Sequence, residues 1–278
     1  MDIEARGYAN PDLLWSPQAL AARLEQPSLA LVDTRRAEAF AAGHIPGARH
    51  FDPYFVNCYD TDPAPLASFT RMWADLLGWR GVTAVDTIVF YGEFTDMCAA
   101  RAFWFAEYLG HGDVHVLDGG VTAWSQAGLP LETGSAAPSP AKFAYEAVPA
   151  RVATFRTILD SLDDDGCVVV DNRSHAEFTG VDNRAQRGGA IPGARHLDWV
   201  DLYDHESGCM KPAQALHDAF ERLGATPDKD VTLYCNTGYR SAHAYLALRL
   251  LDYPRLRNYV GSWQEWGNRE DLPISLPA

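Results

Sequence analysis

The chain holds 278 residues, 47% of them hydrophobic and 22% charged, which excludes a disordered or fibrous protein and suits one large α/β domain or two of ordinary size. Its 23 Lys and Arg face 37 Asp and Glu, and a formal charge of −14 repels phosphate backbones, excluding nucleic acid as a natural partner. Five scattered cysteines (Cys58, Cys98, Cys167, Cys209 and Cys235) lack disulfide-framework or zinc-ribbon spacing, and no apolar run suits a signal peptide or membrane span, which points to an unexported cytoplasmic protein.

From the N-terminus, the first strand-like run is LALVD ending at Asp33, followed by TRRAEAFAAGHIPGARH. TIVFY then ends at Tyr91, ARAFWFAEYLG has a helical pattern, and LDGGVTAW ends at Trp124. The same order returns: CVVVD at Asp171, AIPGARH over 190–196, VTLY at Tyr234, helical SAHAYLALRLL, and YVGSWQEW ending at Trp266. The offset is 138 residues from Asp33 to Asp171, 146 from Ile45 to Ile191 and 143 from Tyr91 to Tyr234, so the second copy carries a polar insertion near 179–189. Between the copies, ETGSAAPSPAKFAYEAVPA has the composition of a linker. The expected division is therefore a first unit over 1–133, a linker over 134–150 and a second unit over 151–278. Alternation of β-branched runs with helical patterns predicts an α/β protein, each unit a mostly parallel sheet flanked by helices.

Ligands of open parallel sheets sit beyond the carboxyl ends of the strands, which directs attention to the segment after VTLY. There Cys235 opens a tight loop of Asn236, Thr237, Gly238 and Tyr239, which Arg240 and Ser241 close at the start of a helix. Gly238 permits a positive backbone angle, and the amides of 236–241 can turn toward a common centre as in an anion-binding nest. The helix N-terminus adds its partial positive charge. Amides, dipole and the Arg240 guanidinium together favour thiolate over thiol, which makes Cys235 a candidate nucleophile. The other reading is a small cysteine buried at a strand end. Cysteine phosphatases also cradle a thiolate between amides and an arginine, but need five residues between Cys and Arg. Four stand here, and Ser241 occupies the place of the phosphatase arginine.

Two repeats carrying D-x-R and G-H-I-P-G-A, a strand followed by Cys in a six-residue loop, and a closing GSWQEWGN resemble the tandem rhodanese family over nearly the whole chain. The resemblance implies two rhodanese-like domains and a Cys235 that takes the outer sulfur of a small anionic donor as a persulfide. Sulfite or pyruvate would leave, and the sulfur would pass to cyanide, a thiol or a protein acceptor, with no metal or organic cofactor. Loop residues Asn236, Thr237, Gly238, Tyr239, Arg240 and Ser241 would hold the donor. In the first repeat Gly92 stands where Cys235 stands in the second, so that domain would be an inactive partner, and Cys98, aligned with Ser241, reads as a packing residue.

CNTGYR matches neither the CGSGVT of mercaptopyruvate enzymes nor the CRKGVT of classical thiosulfate enzymes. Arg240 favours a doubly charged donor such as thiosulfate over a carboxylate such as 3-mercaptopyruvate, and Arg240-Ser241 followed by Ala-His resembles bacterial thiosulfate sulfurtransferases. Arg173, in the second D-x-R, is a substrate-binding candidate by resemblance or else a partner of Asp171. Arg187 and Arg184, in the insertion, are anion-binding candidates ranked below it, or solvated loop charges. Ala190 replaces the histidine of the first copy, a change expected to touch packing rather than chemistry. His243 is assigned no catalytic role. Trp199, Tyr203 and Tyr239 are candidates to wall the cleft, with core packing an equal reading of the first two. A rival function is a sulfur carrier or regulatory module that serves only a protein partner through the same Cys235.

Overall fold

The computed structural model describes residues 2–134 and 138–277. The first half runs β1 (Leu14–Trp15), α1 (Pro17–Ala21), β2 (Leu29–Asp33), α2 (Ala37–Ala42), β3 (Arg49–His50), α3 (Pro63–Trp79), β4 (Thr87–Tyr91), α4 (Met97–Tyr108), β5 (Val114–Leu117) and α5 (Gly120–Gln126). The second half repeats it with β6 (Val152–Ala153), α6 (Phe155–Leu159), β7 (Cys167–Asp171), α7 (His175–Phe178), β8 (Arg195–His196), α8 (Ala213–Glu221), β9 (Asp230–Tyr234), α9 (Arg240–Leu250), β10 (Leu256–Tyr259) and α10 (Ser262–Trp266). Each half forms a five-stranded sheet, ordered β1-β5-β4-β2-β3 and β6-β10-β9-β7-β8, with every strand pair parallel.

The central strands are continuous apolar runs because helices cover both faces of the sheets: all but the first residue of Thr87–Tyr91 and of Asp230–Tyr234 are buried. Registers match between halves, with Asp33 opposite Tyr91 and Asp171 opposite Tyr234. The insertion lies in the loop between α7 and β8. Residues 138–148, within the expected linker, contain no helix or strand but are fastened to the first half, where Ala141 N–H donates to Gly78 O and Val148 N–H to Tyr108 O. Positions 135–137 of that linker lie outside the described residues.

One hydrophobic core sits on the outer face of each sheet, around Trp124 in the first half and around Trp263 and Trp266 in the second. A third, larger core is shared between the halves, where α4 packs against α9. Both helices are apolar almost all round, as helices buried between two sheets must be. Polar contacts cross the same interface: Glu107 accepts from Arg249 in a forked pair at 2.9–3.1 Å and from the Tyr245 hydroxyl at 2.7 Å, and the Arg6–Asp118 pair receives Met210 N–H at 3.1 Å. Among the described residues, no helix is long and apolar enough to cross a membrane.

Candidate active site at Cys235

β9 is the central strand of its sheet, and Cys235 is the first residue beyond its carboxyl end. The loop is fixed from beneath by the first turn of α10: Trp263 N–H donates to Cys235 O and Gln264 N–H to Asn236 O, each at 3.0 Å, while Cys235 N–H donates to Ser262 Oγ at 3.2 Å. Ser262 reaches that position at φ 51°, and its hydroxyl is anchored on Tyr259 O.

The thiol is 1% exposed. Gly238 N–H points at Sγ at 3.2 Å, and Ser241 Oγ lies 3.5 Å from Sγ and 2.7 Å from Asn258 Oδ1. Asn258 Nδ2 donates to Gly238 O, which orients the amide and leaves the single Ser241 proton with two acceptors. Gly238 has φ +83°, where a side chain would be strained and would meet an Arg101 nitrogen at 2.7 Å and the Val260 backbone at 3.2 Å, which favours glycine. Burial alone would raise the thiol pKa, but the Arg240 charge, the Ser241 hydroxyl and loop amides outweigh it and hold Cys235 below the ordinary thiol range.

Arg240 lies at the first turn of α9 and lines the pocket, but its charge is already engaged: both terminal nitrogens grip buried Glu177, at 2.6 and 2.8 Å. Burial opposes ionisation of Glu177, yet the Arg240 fork and the Ser174 contacts hold its carboxyl down at about 2. Arg240 thus stands at the loop end as expected from the sequence, and reaches the pocket as one half of an ion pair.

The cavity over Cys235 has a volume of about 450 Å³. Asn236, Thr237, Tyr239, Arg240, Trp199, Arg184 and Gln264 line it from the second half, and Tyr54, Phe55, Asn57, Tyr59 and Met97 from the first. Trp199 and Tyr239 thus wall the cleft as expected, whereas Tyr203 packs beside it on Phe94 and His205.

Arg173 and Arg187, substrate-binding candidates whose other readings are a partner of Asp171 and a loop charge, are absent from that lining. Arg173 is 1% exposed, forks onto Asp171 at 2.6–3.0 Å, donates to Gly189 O and lies over the Trp263 ring. Arg35 repeats these bonds with Asp33 and Gly43 O in the half that has no thiol, so the D-x-R arginine closes the same turn in both halves. Arg187 is spent on the carbonyls of Trp266, Gly267, Arg269 and Leu272 around the end of α10. Arg184, ranked below Arg173, faces the pocket 54% exposed, 3.0 Å from Asp182 and 3.6 Å from Glu177. His243 Nε2–H donates to Thr95 O across the interface at 2.9 Å, and burial pushes its imidazole down to about 4, leaving it neutral.

In the first half the matching loop is Gly92 to Met97, tied beneath in the same way by Val121 N–H to Gly92 O and Thr122 N–H to Glu93 O. A side chain at Gly92 would stand 1.8 Å from the Asp96 carboxylate, which accepts from the amides of Glu93, Cys98 and Ala99.

The sequence profile of the Rhodanese-like domain matches residues 16–127 and again 154–269. The chain belongs to the rhodanese-like family. It is 35% identical over 270 residues to a thiosulfate sulfurtransferase of Azotobacter vinelandii, covering 97% of this chain and 99% of that one. It is 34% identical over 286 residues to the sulfur carrier protein TtuD of Thermus thermophilus, covering 97% and 98%. Among solved structures, the anaerobic ergothioneine biosynthesis enzyme of Chlorobium limicola superposes with a TM-score of 0.84 over 98% of this chain and 72% of that one, at 22% identity, a likeness of fold. These relatives make the present rhodanese-like protein a sulfurtransferase.

Four contributors to this rhodanese-like site escaped the sequence reading: Glu177, Asn258, Arg101 and the aromatic segment 54–59. Glu177 alone left a signal, the Ser174-x-x-Glu177 pattern of a capping box, and the box does form at the start of α7.

Proposed function

We propose that the protein moves the sulfane sulfur of thiosulfate to a cyanide, thiol or protein acceptor through a persulfide on Cys235. The Cys235 thiolate attacks the outer sulfur of thiosulfate, the bond from that sulfur to the sulfite sulfur breaks, and sulfite leaves with the bonding electrons. The acceptor's lone pair then takes the outer sulfur and Cys235 regains its thiolate. Asn236 to Ser241 supply the loop that holds the terminal sulfur, whose negative charge replaces that of the thiolate between the same donors. The observation that carries this reading is the Cys235 Sγ held by Gly238 N–H and Ser241 Oγ at the bottom of a cavity open to solvent. A reducing, cytoplasmic setting suits it, as all five cysteines are free.

Steady-state transfer to cyanide from thiosulfate, and separately from 3-mercaptopyruvate, tests the reading with Cys235→Ser as control. A higher kcat/KM for thiosulfate and a dead variant support it; mercaptopyruvate as the better donor keeps the nucleophile and overturns the donor. A carrier serving a protein acceptor is the second reading, favoured by the aromatic rim at the mouth of the cavity, where Phe55 is 83% and Tyr59 58% exposed. Turnover with neither small donor, alongside sulfur delivery to a protein thiol, would put it first.

A further inference from the structure

Arg101 sits on α4, in the half without the thiol, yet it reaches the Cys235 loop. Its side chain is wholly buried, and among the described residues it pairs with no carboxylate. Nη1 donates to Thr237 O at 2.7 Å, Nη2 donates to Val56 O at 3.1 Å, and the guanidinium lies 4.0 Å from the centre of the Tyr239 ring. A buried cation without an anion is costly, so something at this place must favour it.

The peptide that Arg101 grips explains the placement. Thr237 O belongs to the peptide unit whose N–H is that of Gly238, and this N–H is the one 3.2 Å from Cys235 Sγ. In a planar trans peptide C=O and N–H point in opposite directions, so a cation on the oxygen both fixes the N–H toward sulfur and strengthens it as a donor. We propose that Arg101 is a positioning residue for sulfur transfer, acting from the other half through the Thr237–Gly238 peptide to hold the anionic sulfur of Cys235 and of its persulfide. Its second nitrogen, with the Tyr239 hydroxyl on Pro53 O and Val56 O, clasps the segment that carries the aromatic wall against the same loop. The proposal rests on Cys235 being the nucleophile.

The other titratable groups around this peptide leave the sulfur as the natural counter-charge. Arg240 is paired with Glu177, and burial pushes the Tyr239 hydroxyl and the Cys98 thiol up, and the Cys58 thiol up to about 11, so all three are neutral at pH 7. Burial lowers the guanidinium pKa, a shift that the neighbouring Cys235 opposes, and an arginine stays charged regardless.

The test is the pH dependence of Cys235 alkylation by iodoacetamide in the full chain, for wild type, Arg101→Met and Arg101→Lys, with Cys235→Ser to assign the signal. Persulfide yield on thiosulfate, read as one added sulfur by mass spectrometry, is the second readout. Arg101→Met should raise the titration midpoint by about one unit, a tenfold loss of thiolate on the rising limb, and lower persulfide yield. Arg101→Lys, which keeps the charge but cannot span both carbonyls, should raise it about threefold less. A folded Arg101→Met with the wild-type midpoint overturns the inference; where that variant does not fold, an Arg101→Lys curve superimposable on wild type does so. A wild-type Cys235 that titrates above the ordinary thiol range overturns the nucleophile reading and this inference together.

Discussion

The loops after β4 and β9 are built on one frame and hold different anions. In both, the first turn of the last helix of the half donates two amides to the first two carbonyls of the loop. After β9 the centre of the loop receives the sulfur of Cys235. After β4 it receives the Asp96 carboxylate, satisfied by three amides at 2.9–3.0 Å. The cradle is therefore a property of the backbone, and the chemistry depends on which anion fills it: a tethered carboxylate saturates the donors permanently, whereas a sulfur at the strand end leaves its outer side to the cavity. Where the first half has glycine instead of a thiol, a side chain occupies the corresponding place.

Arg240→Met would break the second loop most. It leaves buried Glu177 with Ser174 and the half-exposed Arg184 at 3.6 Å as its partners, a loss of about 3 kcal/mol, and lets the Cys235 pKa rise, so that transfer at neutral pH falls about tenfold or more. Denaturant melts and initial rates measure the two effects; the double variant Arg240→Met with Glu177→Met should regain stability without regaining rate. The pair also sets an acid limit. A carboxyl whose folded pKa is near 2 against an ordinary 4.5 contributes stability fully present above pH 4.5 and lost as pH falls toward 2, up to about 3 kcal/mol. Melts across that window should show the loss in wild type, and the double variant should lack it.

The first loop should resist a return of the thiol. Gly92→Cys drives a side chain into Asp96 and should destabilise the fold by about 1–3 kcal/mol, whereas adding Asp96→Gly should relieve the clash and yield a thiol that iodoacetamide labels below the ordinary thiol range. Labelling no better than that of the buried Cys58 would show that the frame alone does not make a cradle. The smallest effect concerns slope. Burial holds the Asp96 carboxyl up at about 6 against its three amides, so its contribution to stability is fully present below about pH 4 and lost as pH rises through 6. Asp96→Asn should flatten stability between those values, measured by denaturant midpoints.

The repeat made the parallel sheets, the missing cysteine of the first half and the strand–Cys–helix turn legible, because each is local and occurs in order. Arg173 misled because resemblance put it near the sulfur, although the copy at Arg35 already showed that the same residue serves a half without one. Arg187 could not be placed, since its four carbonyl partners lie about eighty residues further on and converge only when α10 packs. Arg101 and the 54–59 segment were invisible for a stronger reason: nothing near Cys235 in the chain announces a cation 134 residues earlier. Such groups join the site through the packing of α4 on α9, a tertiary event without a local pattern.

That packing bears on the history such a molecule can have. A gene cut at the linker would release a fragment carrying Cys235 whose longest apolar helix faces water, a fragment prone to clump and stripped of the guanidinium bound to its loop. The first copy can thus do without a thiol but not without its helix: deletion would remove the wall against which its sibling packs.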